Sequence, residues 1–203
     1  MAAGCLQGSM EVTGKIIFLL EEPSMKEFLD NFIPRAFPQI DFLCISHEGK
    51  QDLEKSIPRK LKAWGNPRPD FVILRDNDQA NCRKVKEHLT EICRRGGRSD
   101  TLIRIVCQEL ESWYLGTPES LAHAYSKPSL RKLLNGRKYS NPDKLASPSK
   151  ELNRLLPQFR KYDGARRMGK SIPLTEGTNR SPSFNAFLAG MKRIAGKQRS
   201  HAR

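Results

Sequence analysis

No apolar run in this chain of 203 residues reaches the ~18 residues a membrane-crossing helix needs. The first residues, Met1-Ala2-Ala3-Gly4-Cys5, lack the charged start and long apolar middle of a secretion signal. A cytoplasmic protein without membrane contact is therefore expected. The five cysteines (Cys5, Cys44, Cys82, Cys93 and Cys107) are odd in number and scattered, with no Cys-x-x-Cys pair. That pattern argues against a disulfide framework and against a thiolate zinc site. Cys44 and Cys107 fall in apolar, strand-like runs and are expected to be buried. The four histidines are equally dispersed, none at ligand spacing from a cysteine or another histidine.

Acidic residues are scarce in one half only. Residues 126–203 hold 4 Asp and Glu against 19 Lys and Arg, whereas residues 1–125 hold 18 against 17, so the net charge of +14 sits in the second half. A field of that strength attracts a polyanion, and nucleic acid is the usual partner. The basic residues are interleaved with helix-like apolar positions, unlike a merely solubilising tail.

The organising stretch is Phe71-Val72-Ile73-Leu74-Arg75-Asp76-Asn77-Asp78. Four consecutive apolar residues predict a strand buried on both faces, and two carboxylates follow at its carboxyl end, where open α/β sheets bind ligands. Paired carboxylates repel unless a cation or a shared proton neutralises them, so a divalent-metal site competes with a solvated turn. A second such run, residues 15–20, ends in Glu21 and Glu22. After Pro23, Ser24 and Glu27 stand at capping-box spacing, opening a helix with Met25, Phe28, Leu29, Phe32 and Ile33 on one face that Pro34 and Pro38 should end. Residues 41–46 predict a third strand. A helical face follows with Leu53, Ile57, Leu61 and Trp64, which Pro58 should kink or start. The loop at 65–69 returns the chain to the organising strand. Beyond it, Cys82, Val85, Leu89, Ile92 and Cys93 mark a helix stopped by Gly96-Gly97. A fourth strand, residues 102–107, runs into a helix expected over 108–116 that carries Glu109 and Glu111. Thr117-Pro118 should open another.

Strands alternating with helices imply a mostly parallel sheet whose carboxyl ends share one edge. Glu21 or Glu22, Asp76, Asp78, and Glu109 or Glu111 should therefore converge, and hard cations such as magnesium take oxygen ligands in small clusters of this kind. Beyond Tyr125 the pattern changes to short helices, opened at Ser147-Pro148 and Ser181-Pro182. Between them, Phe159 to Arg167 interleaves aromatic and basic side chains as nucleic-acid contacts do. Gly164-Ala165-Arg166-Arg167-Met168-Gly169-Lys170-Ser171 satisfies the spacing of a phosphate-cradling P-loop. That loop needs a buried strand before it and a helix starting at its lysine, and neither is predicted here. The expected organisation is a leader at 1–14, an α/β domain at 15–125 and a basic helical extension at 126–203 packed on it.

An acidic strand end, Leu19-Leu20-Glu21-Glu22-Pro23-Ser24, followed by a strand ending Asp76-x-Asp78, resembles the Toprim superfamily of topoisomerases, primases and nucleases. More closely, the chain is similar to a small bacterial Toprim-like family of formerly unknown function. The matching pieces are Leu20 to Ser24, Glu48-Gly49-Lys50, Leu74 to Asp78, Arg104 to Trp113, Gly164-Ala165-Arg166 and Asn179 to Phe184. The resemblance implies a Toprim-like fold and an Mg2+- or Mn2+-dependent endonuclease, with Glu21, Asp76, Asp78 and Glu111 as catalytic metal ligands and Glu22 and Glu109 as second choices. Lys50, Arg166 and Arg180 become candidates to bind substrate phosphate. It also implies an ATPase partner of the ABC or AAA type and a place in anti-phage defence. Two rivals stand beside this reading: a non-catalytic nucleic-acid-binding partner of an ATPase, and a primase-type nucleotidyl transferase. No tyrosine occupies a matched nucleophile position, which argues against a topoisomerase.

Overall fold

The computed structural model describes residues 15–64 and 68–201. The expected leader at 1–14 and part of the loop at 65–69 lie outside the described residues. Four strands, β1 (Ile16–Leu20), β2 (Phe42–Ser46), β3 (Asp70–Asp76) and β4 (Leu102–Val106), alternate with three helices, α1 (Pro23–Ala36), α2 (Lys50–Ala63) and α3 (Cys82–Arg95). Every pairing is parallel, in the order β2-β1-β3-β4. This is the helix-flanked parallel sheet that the alternation predicts, consistent with a Toprim-like fold. Six shorter or later helices follow among the described residues: α4 (Glu111–Leu115), α5 (Pro118–Ala124), α6 (Ser129–Leu133), α7 (Pro148–Leu155), α8 (Lys161–Ser171) and α9 (Pro182–His201).

The two inner strands, β1 and β3, are the two with continuous apolar sequences, because only they are covered on both faces and both edges. Alternation along each strand divides the core. Ile16, Phe18, Leu20, Val72 and Leu74 face α1 and the helices that follow β4, while Ile17, Leu19, Phe71 and Ile73 face α2 and α3. Continued past Leu74, the same alternation sends Arg75 to the α2 side and Asp76 to the α1 side.

The strand order also fixes where a site can form. The chain leaves β1 towards β2 and leaves β3 towards β4, so adjacent inner strands send their connections in opposite directions. Their carboxyl ends therefore flank a topological switch point, the place where such sheets open a ligand crevice. Register sharpens this. Leu20 pairs with Leu74, so β3 extends beyond β1 and delivers Asp76 beside the first residue after β1, Glu21.

Several local expectations are corrected. The Ser24/Glu27 capping box does not form: with Pro23 in the first turn, Glu22 becomes the residue that precedes α1, and the Ser24 hydroxyl donates to the Glu22 carboxylate at 2.5 Å. Pro34 and Pro58 lie inside α1 and α2, since each removes only one backbone donor and α1 ends within two residues of Pro34. The helix expected from residue 108 starts at Glu111, because Gln108 adopts a left-handed φ of 66° that no helix accommodates. The P-loop spacing at 164–171 lies within α8, with Gly164 and Gly169 buried.

Gly169 packs α8 directly against α1: a Cβ there would stand 2.6 Å from the Phe28 carbonyl oxygen and 2.8 Å from Asn31 Cβ. By contrast, a Cβ at Gly196 in α9 meets nothing within 4 Å. Gly169→Ala should therefore destabilise the fold by ~1–3 kcal/mol through overpacking. Gly196→Ala should stabilise it by ~0.5–1 kcal/mol through helix propensity. Thermal unfolding followed by circular dichroism should show melting temperatures that move in opposite directions.

Candidate functional site at the carboxyl edge of the sheet

Glu21, the first residue after β1, is buried, and its Oε2 accepts a 3.0 Å hydrogen bond from the Asp76 backbone N–H. Arg75, also buried, extends to the other side of the sheet, where it bonds Glu54 at 2.5 Å and comes within 3.9 Å of Glu21. The Asp76 side chain lies on the α1 side of the sheet, where the charges of Glu22 and Glu111 act on it. Its Oδ1 is buried without a hydrogen-bond partner, as is Oε2 of Glu111 in the first turn of α4. Burial raises the Asp76 pKa well above the ordinary carboxylate value, and Glu22, Glu21 and Glu111 raise it further by like-charge repulsion. Glu111 is pushed up to about 7, chiefly by burial and secondarily, against the opposing pull of Lys161, by Glu109 and Glu22. The Glu21 pKa is raised by burial and then by Asp78.

The cations around this group come from separate elements. Lys161 at the start of α8 bonds Glu22 Oε2 at 2.6 Å, and its charge also acts on Glu111 and Asp76. Lys50 at the start of α2 bonds Asp78 Oδ2 at 3.0 Å. Asp78 differs from Asp76 in being exposed, on a turn where Asp78 and Gln79 both take left-handed φ values of 48° and 64°. With Gln108, these are three of the four left-handed non-glycine residues described, and all three lie in the turns after β3 and β4. Such conformations cost ~1–3 kcal/mol each and gather at functional sites. Asn77 holds the two turns together: its Oδ1 accepts the Gln108 N–H, its Nδ2 donates to the Ala80 carbonyl at 2.8 Å, and Gln79 N–H donates to Gln108 Oε1 at 3.1 Å.

The residues present suit a hard divalent cation in kind. The donors are carboxylate oxygens, two of them buried and unpartnered, and neutralisation would relieve their mutual repulsion. Among the described residues, however, no three His, Cys, Asp or Glu side chains form a ready-made ion cage.

The domain of unknown function DUF4276 matches residues 20–192, most of the chain. The chain belongs to the DUF4276 family. Among solved structures, the C-terminal region of the OLD protein of Xanthomonas campestris pv. campestris is similar, at 12% identity over 94% of this chain and 99% of that one, with a TM-score of 0.49. No curated protein matches the chain. No helix among the described residues is long and apolar enough to cross a membrane.

Within this DUF4276 chain the other expected site residues are distributed as follows. Glu109 turns away from Asp76 to accept from Ser149 N–H at 2.7 Å and Ser149 Oγ at 2.9 Å, which caps the start of α7. Arg166 pairs with Asp163 on the exposed side of α8. The Arg180 guanidinium bonds the Leu134 carbonyl at 2.8 Å and Asn135 Oδ1 at 2.7 Å, a tie between the end of α6 and the approach to α9, and none of its bonds goes to a site carboxylate. Sequence reasoning missed three residues. Lys161 lies 139 positions from the glutamate it pairs with, so no local spacing could signal it. Arg75 and Asn77 sat inside the organising stretch but read as fillers between its acids. Their signal was the improbability of a charged and an amide side chain within a strand end buried on both faces.

A carboxyl whose folded pKa exceeds its unfolded value binds its proton more tightly in the fold. Its protonation therefore favours folding as pH falls from about 7 towards the unfolded value, and its ionisation opposes folding above that range. In EDTA, the contribution of Glu111 to stability, about 3 kcal/mol, should be lost between about pH 4.5 and about pH 7. Glu111→Gln should flatten the curve by that amount in urea titrations across pH. An unchanged slope would show that the Glu111 carboxyl is not held protonated.

Proposed function

We propose that this protein is a metal-dependent nuclease of Toprim type that hydrolyses phosphodiester bonds of DNA or RNA. The observation that carries the reading is two buried, unpartnered carboxylate oxygens, Asp76 Oδ1 at the switch point of the sheet and Oε2 of Glu111, whose charge acts on Asp76. Glu21, Asp76 and Glu111 would hold Mg2+ or Mn2+, with Asp78 and Glu22 alongside. When bound, such an ion polarises a phosphoryl oxygen and lowers the pKa of an attacking water. The chain's own residues do the rest. The Asp76 N–H fixes the Glu21 carboxylate with the Arg75 charge 3.9 Å from it, Asn77 sets the turn that carries Asp78, and Lys161 offsets negative charge beside the scissile position. The exposed basic side chains of α8, Arg166, Arg167 and Lys170, lie on the helix that Lys161 begins and supply a sequence-independent grip on the phosphate backbone. By its resemblance to Toprim-like proteins, the enzyme acts with an ABC- or AAA-type ATPase in anti-phage defence.

The decisive experiment incubates the purified protein with labelled single- and double-stranded DNA and RNA, with Mg2+, Mn2+ or EDTA. Cleavage should require the ion, and Asp76→Asn should reduce it by about 10²-fold or more. Cleavage that survives Asp76→Asn removes the mechanism. If nothing is cleaved even with an ATPase partner present, the better reading is a nucleic-acid-binding module, which the lack of a ready-made ion cage among the described residues would suit.

Binding separates from chemistry through salt. Combined replacement of Arg166, Arg167 and Lys170 by alanine should weaken nucleic-acid binding uniformly across sequences. The slope of log K against log salt should fall by roughly 0.7–0.9 for each phosphate that the variant no longer neutralises. Fluorescence anisotropy at several salt concentrations measures both quantities, and an unchanged slope would place the polyanion elsewhere.

A further inference from the structure

Cys107, expected to be buried in β4, instead lies just past the strand and is only half-buried, as is Cys82 in the first turn of α3. Their sulfurs stand 3.4 Å apart across 25 residues of sequence, whereas Cys44 and Cys93 are buried within the two cores. The sulfur pair lies against the candidate site's framework. Asn77, between Asp76 and Asp78, donates from Nδ2 to Cys82 Sγ at 3.2 Å and accepts the N–H of Gln108, the neighbour of Cys107. On the other side, the Cys107 N–H donates to Ser183 Oγ at 3.3 Å, which also accepts from Trp113 Nε1 at 2.9 Å, so the end of β4 is anchored to α9 and α4. A cross-link between these two sulfurs would therefore tie the strained turn, residues 77–82, to an anchored strand end.

We propose that Cys82 and Cys107 are a reversible oxidation site, closing to an intramolecular disulfide that staples the turn after β3 to the end of β4. The step balances with a peroxide as oxidant. The Cys82 sulfur attacks one peroxide oxygen; the O–O bond breaks, one water leaves, and Cys82 becomes a sulfenic acid. The Cys107 sulfur then attacks the Cys82 sulfur; the S–S bond forms, the S–O bond breaks, and a second water leaves with the remaining thiol proton. Two electrons pass from the thiols to the peroxide, and a dithiol reductant returns them. The sulfurs must approach by about 1.3 Å to reach bonding distance. Intracellular disulfides of this kind are transient and regulatory more often than structural. Any consequence for ion binding rests on the nuclease reading above, but formation of the bond does not.

The test treats the full-length protein with hydrogen peroxide, blocks remaining thiols, and maps peptides by mass spectrometry without reduction. The expected product is a Cys82–Cys107 linked peptide, two hydrogens lighter than its parts and lost on adding dithiothreitol. Amide hydrogen exchange in residues 77–82 should slow about tenfold or more in the oxidised protein. Cys82→Ser should show neither change, and Cys107→Ser should leave a sulfenic acid at Cys82 that dimedone traps. Recovery of the two cysteines unlinked, or joined to other cysteines, would overturn the site. A linked peptide with unchanged exchange would overturn the staple. Neither readout uses nucleic-acid cleavage, so failure here is distinct from failure of the nuclease reading.

Discussion

Asp76 is a carboxyl group buried at the end of a central strand with three other carboxyl groups acting on it, and the surrounding structure is arranged around that constraint. Each opposing charge comes from a different element: Arg75 from the strand itself, Lys50 from α2, Lys161 from α8. Their ion pairs go to Glu54 and, more loosely, Glu21 for Arg75, to Asp78 for Lys50 and to Glu22 for Lys161, not to Asp76. The periphery of the cluster is thus neutralised while its centre, Asp76 with Glu111, keeps unpartnered oxygens. An arrangement selected only for stability would have reversed this, since an unpaired buried acceptor costs ~1–3 kcal/mol.

The change in charge after residue 125 is not a break in packing. One hydrophobic cluster joins Phe18 and Leu74 of the sheet to Phe28 and Phe32 of α1, Trp113 of α4, Met168 of α8 and Phe184 and Phe187 of α9. Its centre is aromatic: Trp113 stacks on Phe187 with ring centroids 5.2 Å apart and meets Phe184 edge-on at the same distance. This packing has direct consequences for the site. Trp113 follows Glu111 by two residues, so α9 holds α4 and thereby the Glu111 carboxyl. The close contact at Gly169 holds α8 on α1 and thereby brings Lys161 to Glu22. The basic half supplies both a field and two supports of the acidic edge.

What was legible in the sequence follows from how local each cause is. The strands β1 and β3 could be read because full burial leaves a continuous apolar run, and the helices because their faces repeat at 3.6 residues. Convergence of Glu21 with Asp76 was legible from topology alone, since parallel strands share an edge. The choice between Glu109 and Glu111 was open until the start of α4 was known: Gln108's left-handed turn displaces the helix, sending Glu109 to α7 and Glu111 towards Asp76. Capping failed as a guide at Ser24 because Glu22 competes for the same hydroxyl. Lys161 and the Cys82–Cys107 pair depend on packing between distant segments, and no window of sequence contains them.

The two acids of Asp76-x-Asp78, alike on paper, are physically unlike. Asp76 belongs to the strand: its N–H is bonded to Glu21, its side chain is buried, and its position is fixed by the sheet register with Val106. Asp78 belongs to a strained turn: it is exposed, its backbone is left-handed, and it is held by Lys50 from α2. A cation arriving at this edge would meet one ligand already in place and one that must leave a lysine to join it. Asn77 lies between them, bonded to both turns and to the Cys82 sulfur. On the nuclease reading, the fixed acid would set where an ion sits and the exposed one would complete its surroundings, so the turn after β3 would be where that edge is tuned.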